Sequence, residues 1–307
     1  MISLLLMQKI LALFIIIFLG ALLVKLKLLK PSDSKVISTI SLYLITPCMI
    51  ITAFEVDLTP NVRNGVILAF AAAAIIQIFL VLSSYPLGKL LKLDPVEKTS
   101  MIYSNAGNLV VPLVTSLFGE EWVIYSCAYI SVQLFFMWSH GVSALCGEKG
   151  INFRKIITNI NMISVMIGIV ILIVGIRFPA PVQDAMNSIK SMLGPTAMLV
   201  TGMLIGGKDL KQILAYKKIW LIVLLRLVII PLCTLAFLKY SGIALLVENG
   251  ETILMISLLA TITPSASSIT QMAVVYGADA DYASAINVLT TLGCIVTMPV
   301  MIFLYQL

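Results

Sequence analysis

The sequence predicts an all-α polytopic membrane protein of ten transmembrane helices, built as two inverted five-helix halves with helices 4 and 9 broken in mid-membrane. Three observations lead there. Of 307 residues, 60% are hydrophobic and 11% charged, with a mean hydropathy of +1.09. A soluble chain has about half apolar and about a quarter charged residues, so this much apolar surface requires lipid. Apolar stretches long enough to span a bilayer recur ten times with short polar interruptions. The fourth and ninth of them carry Gly, Pro and small polar residues in their middles.

The ten segments fall near residues 7–28, 36–54, 64–88, 98–118, 122–146, 155–176, 187–206, 217–239, 252–276 and 282–305. The first is read as a membrane helix. Its apolar run 10–24 has only Lys9 before it and Lys25, Lys27 and Lys30 after it, whereas a secretory leader carries its charge in front and a small-residue cleavage site behind. Trp122 and Trp220 stand at segment starts, where indole rings anchor to the membrane interface. Cys48, Cys127, Cys146, Cys233 and Cys294 are dispersed in apolar stretches without a CxxC pair, and read as packing residues. The net charge of +6 is spread over short loops with no aromatic-studded basic stretch, which excludes nucleic acid as the expected partner.

Orientation follows from the basic residues. Loops 1–2, 3–4, 5–6, 7–8 and 9–10 hold fourteen Lys and Arg, from Lys25 to Lys218; the opposite side holds five, Lys9, Arg63, Arg177, Lys190 and Lys239. The positive-inside rule makes the first set cytoplasmic and both termini extracytoplasmic. The expected location is the cell (inner or plasma) membrane, with the Cys146–Lys155 connection in the cytoplasm.

Five crossings invert a second copy, so the chain divides at 1–150 and 151–307. Pro47 … Asp57-Leu58 near the end of helix 2 matches Pro195 … Asp209-Leu210 near the end of helix 7. Asn105-Ala106-Gly107-Asn108 … Gly119-Glu120-Glu121 matches Thr263-Pro264-Ser265-Ala266 … Gly277-Ala278-Asp279, 158 residues on.

The clusters inside helices 4 and 9 run over residues 104–112 and 261–271. Gly and Pro interrupt helical hydrogen bonding, and Asn, Ser and Thr bond the backbone locally instead. Irregular backbone at membrane depth survives only inside protein or along a cavity, and matched interruptions in two halves point to a transporter's binding site. Each restarting half-helix presents free N–H groups and about half a positive charge, which suits a carboxylate. The candidate substrate-binding residues are Asn105, Gly107, Asn108 and Pro112 in helix 4, with Thr263, Pro264, Ser265, Ser267, Ser268 and Gln271 in helix 9. The alternative is that Pro112 and Pro264 are simple kinks and the polar residues join helices; two matched clusters weigh against it.

These motifs carry a resemblance. Ser104-Asn105-Ala106-Gly107-Asn108-Leu109-Val110-Val111-Pro112-Leu113, Pro264-Ser265-Ala266 with Tyr276-Gly277-Ala278-Asp279, and Gly194-Pro195 … Gly202 … Gly206 resemble the auxin efflux carrier family, including its short bacterial members described as malate or malonate permeases. The resemblance implies a ten-helix fold shared with bile-acid-type sodium symporters. Helices 1, 2, 6 and 7 would form a scaffold, and helices 3–5 and 8–10 a moving transport domain. The family's helix 4 asparagines map onto Asn105 and Asn108. Gln77 and Gln133 are the nearest candidates for a polar support cluster, whose charged members are absent here.

None of the fourteen acidic residues lies in the middle third of a segment, and Glu55 reads as the deepest. Proton relays normally use buried carboxylates, so the reading is uniport of a small organic anion, a mono- or dicarboxylate, leaving down the membrane potential by an elevator mechanism. The alternative is a sodium- or proton-coupled symporter. Arg226, the one mid-segment charge, serves either the substrate or carbonyls freed by Pro231 or by the helix 4 break. His140 reads as a hydrogen-bonding residue rather than a pH switch. With one His, no HExxH and no GxSxG, an enzyme is not expected; neither is a metal or cofactor. A homodimer is kept as an option for the assembly.

Overall fold

A computed structural model describes residues 2–146, 154, 157–207 and 216–307. The connection expected in the cytoplasm after Cys146, the Asp209-Leu210 mark of the internal match, and Lys149, Lys155, Lys208 and Lys211 lie outside these residues. Among the described residues the chain is helical without strands. In order, the helices are α1 (Ile2–Lys25), α2 (Pro31–Ala53), α3 (Pro60–Leu90), α4 (Pro95–Ile102), α5 (Ala106–Leu117) and α6 (Glu120–Leu145). They continue as α7 (Ile160–Val174), α8 (Ala180–Gly206), α9 (Ile219–Tyr240), α10 (Gly250–Ile262), α11 (Ser267–Tyr276) and α12 (Ala280–Gln306). Six of them, α2, α3, α6, α8, α9 and α12, are long and apolar enough to cross a membrane; α5, α7, α10 and residues 14–25 of α1 are shorter apolar helices. This is the build of a multi-pass membrane protein.

Local chemistry sets the ends. The Thr59 side chain accepts from the Val62 N–H, and Pro60 occupies the first turn, where its missing N–H costs nothing. The third helix therefore starts four residues earlier than its apolar run predicts. The α8 helix starts at Ala180 rather than near 187, because Ala180–Ser191 has no buried residue and so no apolar signature. Pro47 and Pro231 each follow a wide π turn, at Ser41–Ile45 and Leu225–Ile229, which makes room for a ring without a donor.

Packing uses small residues where backbones approach. A Cβ on Gly202 would stand 2.0 Å from the Ile17 carbonyl oxygen, and one on Gly206 2.6 Å from that of Ala21. Gly202 and Gly206 are four apart on α8 and let α1 lie directly against it, the small-xxx-small contact of membrane helices. Ala69, Ala72 and Ala73 are buried on α3, which packs against both α6 and α10. Leu109 of α5 packs with Ile17 of α1 and Met198 of α8 in a small separate apolar cluster.

Candidate functional site

The fourth and ninth apolar segments are each two helices with an extended link between. After α4, Tyr103 is extended (φ −92°, ψ 126°), and Asn105 stands at the start of α5. After α10, Thr263 takes φ −66°, ψ 159°, the extended shape imposed on a residue before proline. The two links pair. The Asn105 N–H donates to the Pro264 carbonyl at 2.8 Å, and the Ala266 N–H donates to that of Tyr103 at 3.0 Å. Ser104 and Ser265 thus form an isolated antiparallel bridge.

One reading of the sequence changes here. Pro112 does not break its helix: it lies inside α5, and the first break sits at residues 103–105, held by hydrogen bonds to other segments. Pro264 does sit in the second break.

Side chains close the remaining backbone valences. The Gln133 Oε1 on α6 accepts from the Ser104 N–H at 3.1 Å and the Ser104 hydroxyl at 2.5 Å, while its Nε2 donates to the Ser104 carbonyl at 2.7 Å. Gln77 Nε2 on α3 reaches Gln133 Oε1 at 3.4 Å and the Tyr129 hydroxyl at 3.2 Å. Tyr129 in turn meets the Thr261 hydroxyl at 3.2 Å. The Tyr103 hydroxyl contacts His140 Nδ1 at 2.9 Å and donates to the Phe136 carbonyl.

Arg226 is fully buried behind the breaks. Its guanidinium donates to the carbonyls of Met101 (3.2 Å), Thr261 (2.9 Å) and Thr263 (2.8 Å). These are the last carbonyls of α4 and α10, where two helix dipoles end negative.

The positive ends lie at the starts of α5 and α11. Neither start has a side-chain cap; at α11 the Ile269 N–H turns back to the Ala266 carbonyl at 3.1 Å, and the N–H groups ahead of it are left for a ligand. Asn108 Nδ2 donates to Asn105 Oδ1 at 3.0 Å and reaches the Ser267 hydroxyl at 3.4 Å, tying one start to the other. Asn108, Gly107, Ser267 and Ser268 are half-buried. A Cβ on Gly107 would meet nothing within 4 Å, so the backbone there borders open space. Of the predicted residues, Asn105, Gly107, Asn108, Ser267 and Ser268 gather at these starts. Thr263, Pro264 and Ser265 form the link behind them. Gln271 is exposed a turn further along α11. Pro112 instead borders a cavity of about 670 Å³ between α2, α5 and α8, whose lining omits Asn105 and Asn108.

Residues not singled out from the sequence complete the frame. On α12, Thr290 Oγ1 accepts from the Ser265 N–H at 3.1 Å, and Asn287 Nδ2 donates to the Ser265 carbonyl at 2.6 Å. Their signal was two polar residues three apart, hence on one face of the last apolar segment. Glu97 is the most buried carboxylate among the described residues, at 1% exposure. Distant groups bury it: the Tyr282 hydroxyl donates to it at 2.9 Å, and Lys218 Nζ lies 3.7 Å away.

Paired helix breaks pinned by polar side chains inside a multi-pass helical protein are the build of a membrane transporter. The chain belongs to the auxin efflux carrier family: the family model described as membrane transport protein matches residues 5–302. Among curated proteins, none matches the chain.

Proposed function

We propose that this transporter carries a small organic anion, a mono- or dicarboxylate, and exports it as a uniporter by an elevator movement. The observation that carries this reading is the sorting of helix ends at the breaks. Both negative ends are capped by Arg226, while both positive ends sit uncapped beside Asn105, Asn108, Ser267 and Ser268. A carboxylate there meets N–H donors and two positive dipole ends without a buried cation to hold it too tightly. An anion moving outward gains about 2.3 kcal/mol per charge per 100 mV, so no coupling ion is required.

We read this frame as ten helices in two inverted halves, 1–150 and 151–307, and the basic loops place both termini outside the cytoplasm in that reading. In each half the break is bracketed from the helix that follows it, by Gln133 on α6 and by Asn287 and Thr290 on α12. The scaffold would be α1, α2, α7 and α8. The Leu109, Ile17 and Met198 cluster, small and apolar, would be part of the surface along which α5 slides. A sodium-coupled symporter is the second reading, favoured by the Ser265 hydroxyl, which is buried without a partner in a link rich in carbonyls.

Proteoliposomes test both. Acetate, malonate and malate are offered with and without sodium, under an imposed potential of either sign. Potential-driven, sodium-independent flux of a carboxylate is expected. Flux that requires sodium would replace uniport with symport, and flux of none of the three would remove the carboxylate assignment.

A further inference from the structure

Ser265 is the second break's counterpart of Ser104, and its backbone is held with equal completeness from a different helix. Thr290 Oγ1 accepts its N–H at 3.1 Å, and Asn287 Nδ2 donates to its carbonyl at 2.6 Å. The Thr290 hydroxyl is itself oriented, donating to the Ile286 carbonyl at 2.7 Å, which leaves its lone pairs facing the Ser265 N–H. Both side chains are buried, Asn287 at 4% and Thr290 at 0% exposure. Two residues after Ser265 the α11 helix begins, and its first-turn N–H groups and Ser267 belong to the proposed substrate site.

The α12 helix is anchored at its start too. The Tyr282 hydroxyl bonds Glu97 in the first turn of α4, and Asp279 caps Tyr282. One rigid helix is therefore fastened to α4 at its beginning and to the second break about two turns later. It has the contacts of a splint, setting the direction in which α11 starts relative to α5.

We propose that Asn287 and Thr290 are positioning residues for the substrate site: they aim the start of α11 at the ligand through Ser265, without touching the ligand. The inference rests on the reading of the breaks as that site. A misaimed dipole and N–H pair weakens binding by far more than it weakens the fold, because donors must meet the ligand within a few tenths of an ångström.

The test uses the full-length protein in proteoliposomes, with whichever of acetate, malonate and malate the wild type transports fastest. Thr290→Val keeps shape and removes the acceptor. It is expected to raise the apparent substrate constant roughly tenfold, the scale of one buried hydrogen bond, with a smaller change in maximal rate. Thr290→Ser restores the acceptor and should return the constant to within about threefold of wild type. Asn287→Leu, close in size and without a donor, should behave like Thr290→Val. A lowered melting temperature with an unchanged substrate constant in Thr290→Val would reduce the pair to a structural role and overturn the proposal. So would a Thr290→Ser variant no better than Val. Asn108→Ala run alongside separates the causes: if it too leaves the constant unchanged, the site assignment itself has failed, and this inference with it.

Discussion

Gln133 holds Ser104 as a neighbouring strand would, accepting its N–H and donating to its carbonyl with the two arms of one amide. A buried side chain thus replaces a missing helical turn. Gln133→Leu, close in volume, leaves a buried donor and a buried acceptor unpaired. Each costs about 1–3 kcal/mol, so the purified variant should lose several degrees of melting temperature in detergent. Gln133→Glu, neutral in so buried a site, can accept the Ser104 N–H with one oxygen and donate its proton to the carbonyl with the other, so it should fall between wild type and Gln133→Leu.

Arg226 divides its donors between carbonyls of two helices. A lysine ammonium is a single point of charge and cannot span them with the geometry of a planar fork. Arg226→Lys and Arg226→Gln should therefore both lower the melting temperature without ligand present. An unchanged melting temperature with a raised substrate constant in Arg226→Gln would instead assign the charge to the substrate.

Asn105→Ala and Asn108→Ala should reduce transport strongly while the size-exclusion profile stays that of the wild type. The Asn108 amide is half-buried and bonds only to groups at the two helix starts, so little packing depends on it. Wild-type transport by both variants would move the site elsewhere. Glycines give a matching contrast. Gly107→Ala adds a methyl to open space and should fold normally. Gly202→Ala places one 2.0 Å from the Ile17 carbonyl, so α1 and α8 must separate and the fold weakens.

Asp94 caps α4 in a reciprocal box with Glu97, each side chain accepting the other's backbone N–H. Partial desolvation of this largely exposed carboxyl raises its pKa above the ordinary carboxylate value, against the lowering effect of its backbone hydrogen bonds. A raised folded pKa means the neutral form is favoured on folding. That stabilisation is complete below the unfolded value and is lost as pH rises through the folded one. Asp94→Asn keeps the cap without the charge, so its melting temperature should fall less than wild type on going upward from about pH 4. Asp94→Ala loses the cap, at about 1 kcal/mol, across the whole range. Parallel pH-dependent slopes for Asn and wild type would contradict the assignment.

Both break sites were legible because Gly, Pro, Asn and Ser concentrate where a helix cannot run. The register between them was not. Ser104 and Ser265 join through the backbone of neighbouring residues, and main-chain bonding leaves no mark on residue identity. Pro112 misled for the opposite reason: its identity signals a break, yet α5 absorbs it as an internal proline. The burial of Glu97 is not legible in the sequence, because the residue stands just ahead of the fourth apolar segment. Its burial comes from Tyr282 and Lys218, more than a hundred residues away. Asn287 and Thr290 carry no mark of their role in the sequence; only the folded chain brings them to Ser265.

The guanidinium of Arg226 has a consequence for biogenesis. The Met101 carbonyl emerges from the ribosome 125 residues before the side chain that satisfies it, and Tyr103 and Asn105 wait still longer for Ala266 and Pro264. Until α9 to α11 have been inserted, the first half of the chain carries an open gap of unpaired peptide groups that hydrocarbon cannot solvate. During synthesis that gap must be kept wet or shielded by the insertion machinery. A chain arrested before α9 would be expected to remain bound there, and to be released only once its second half arrives to close the seam.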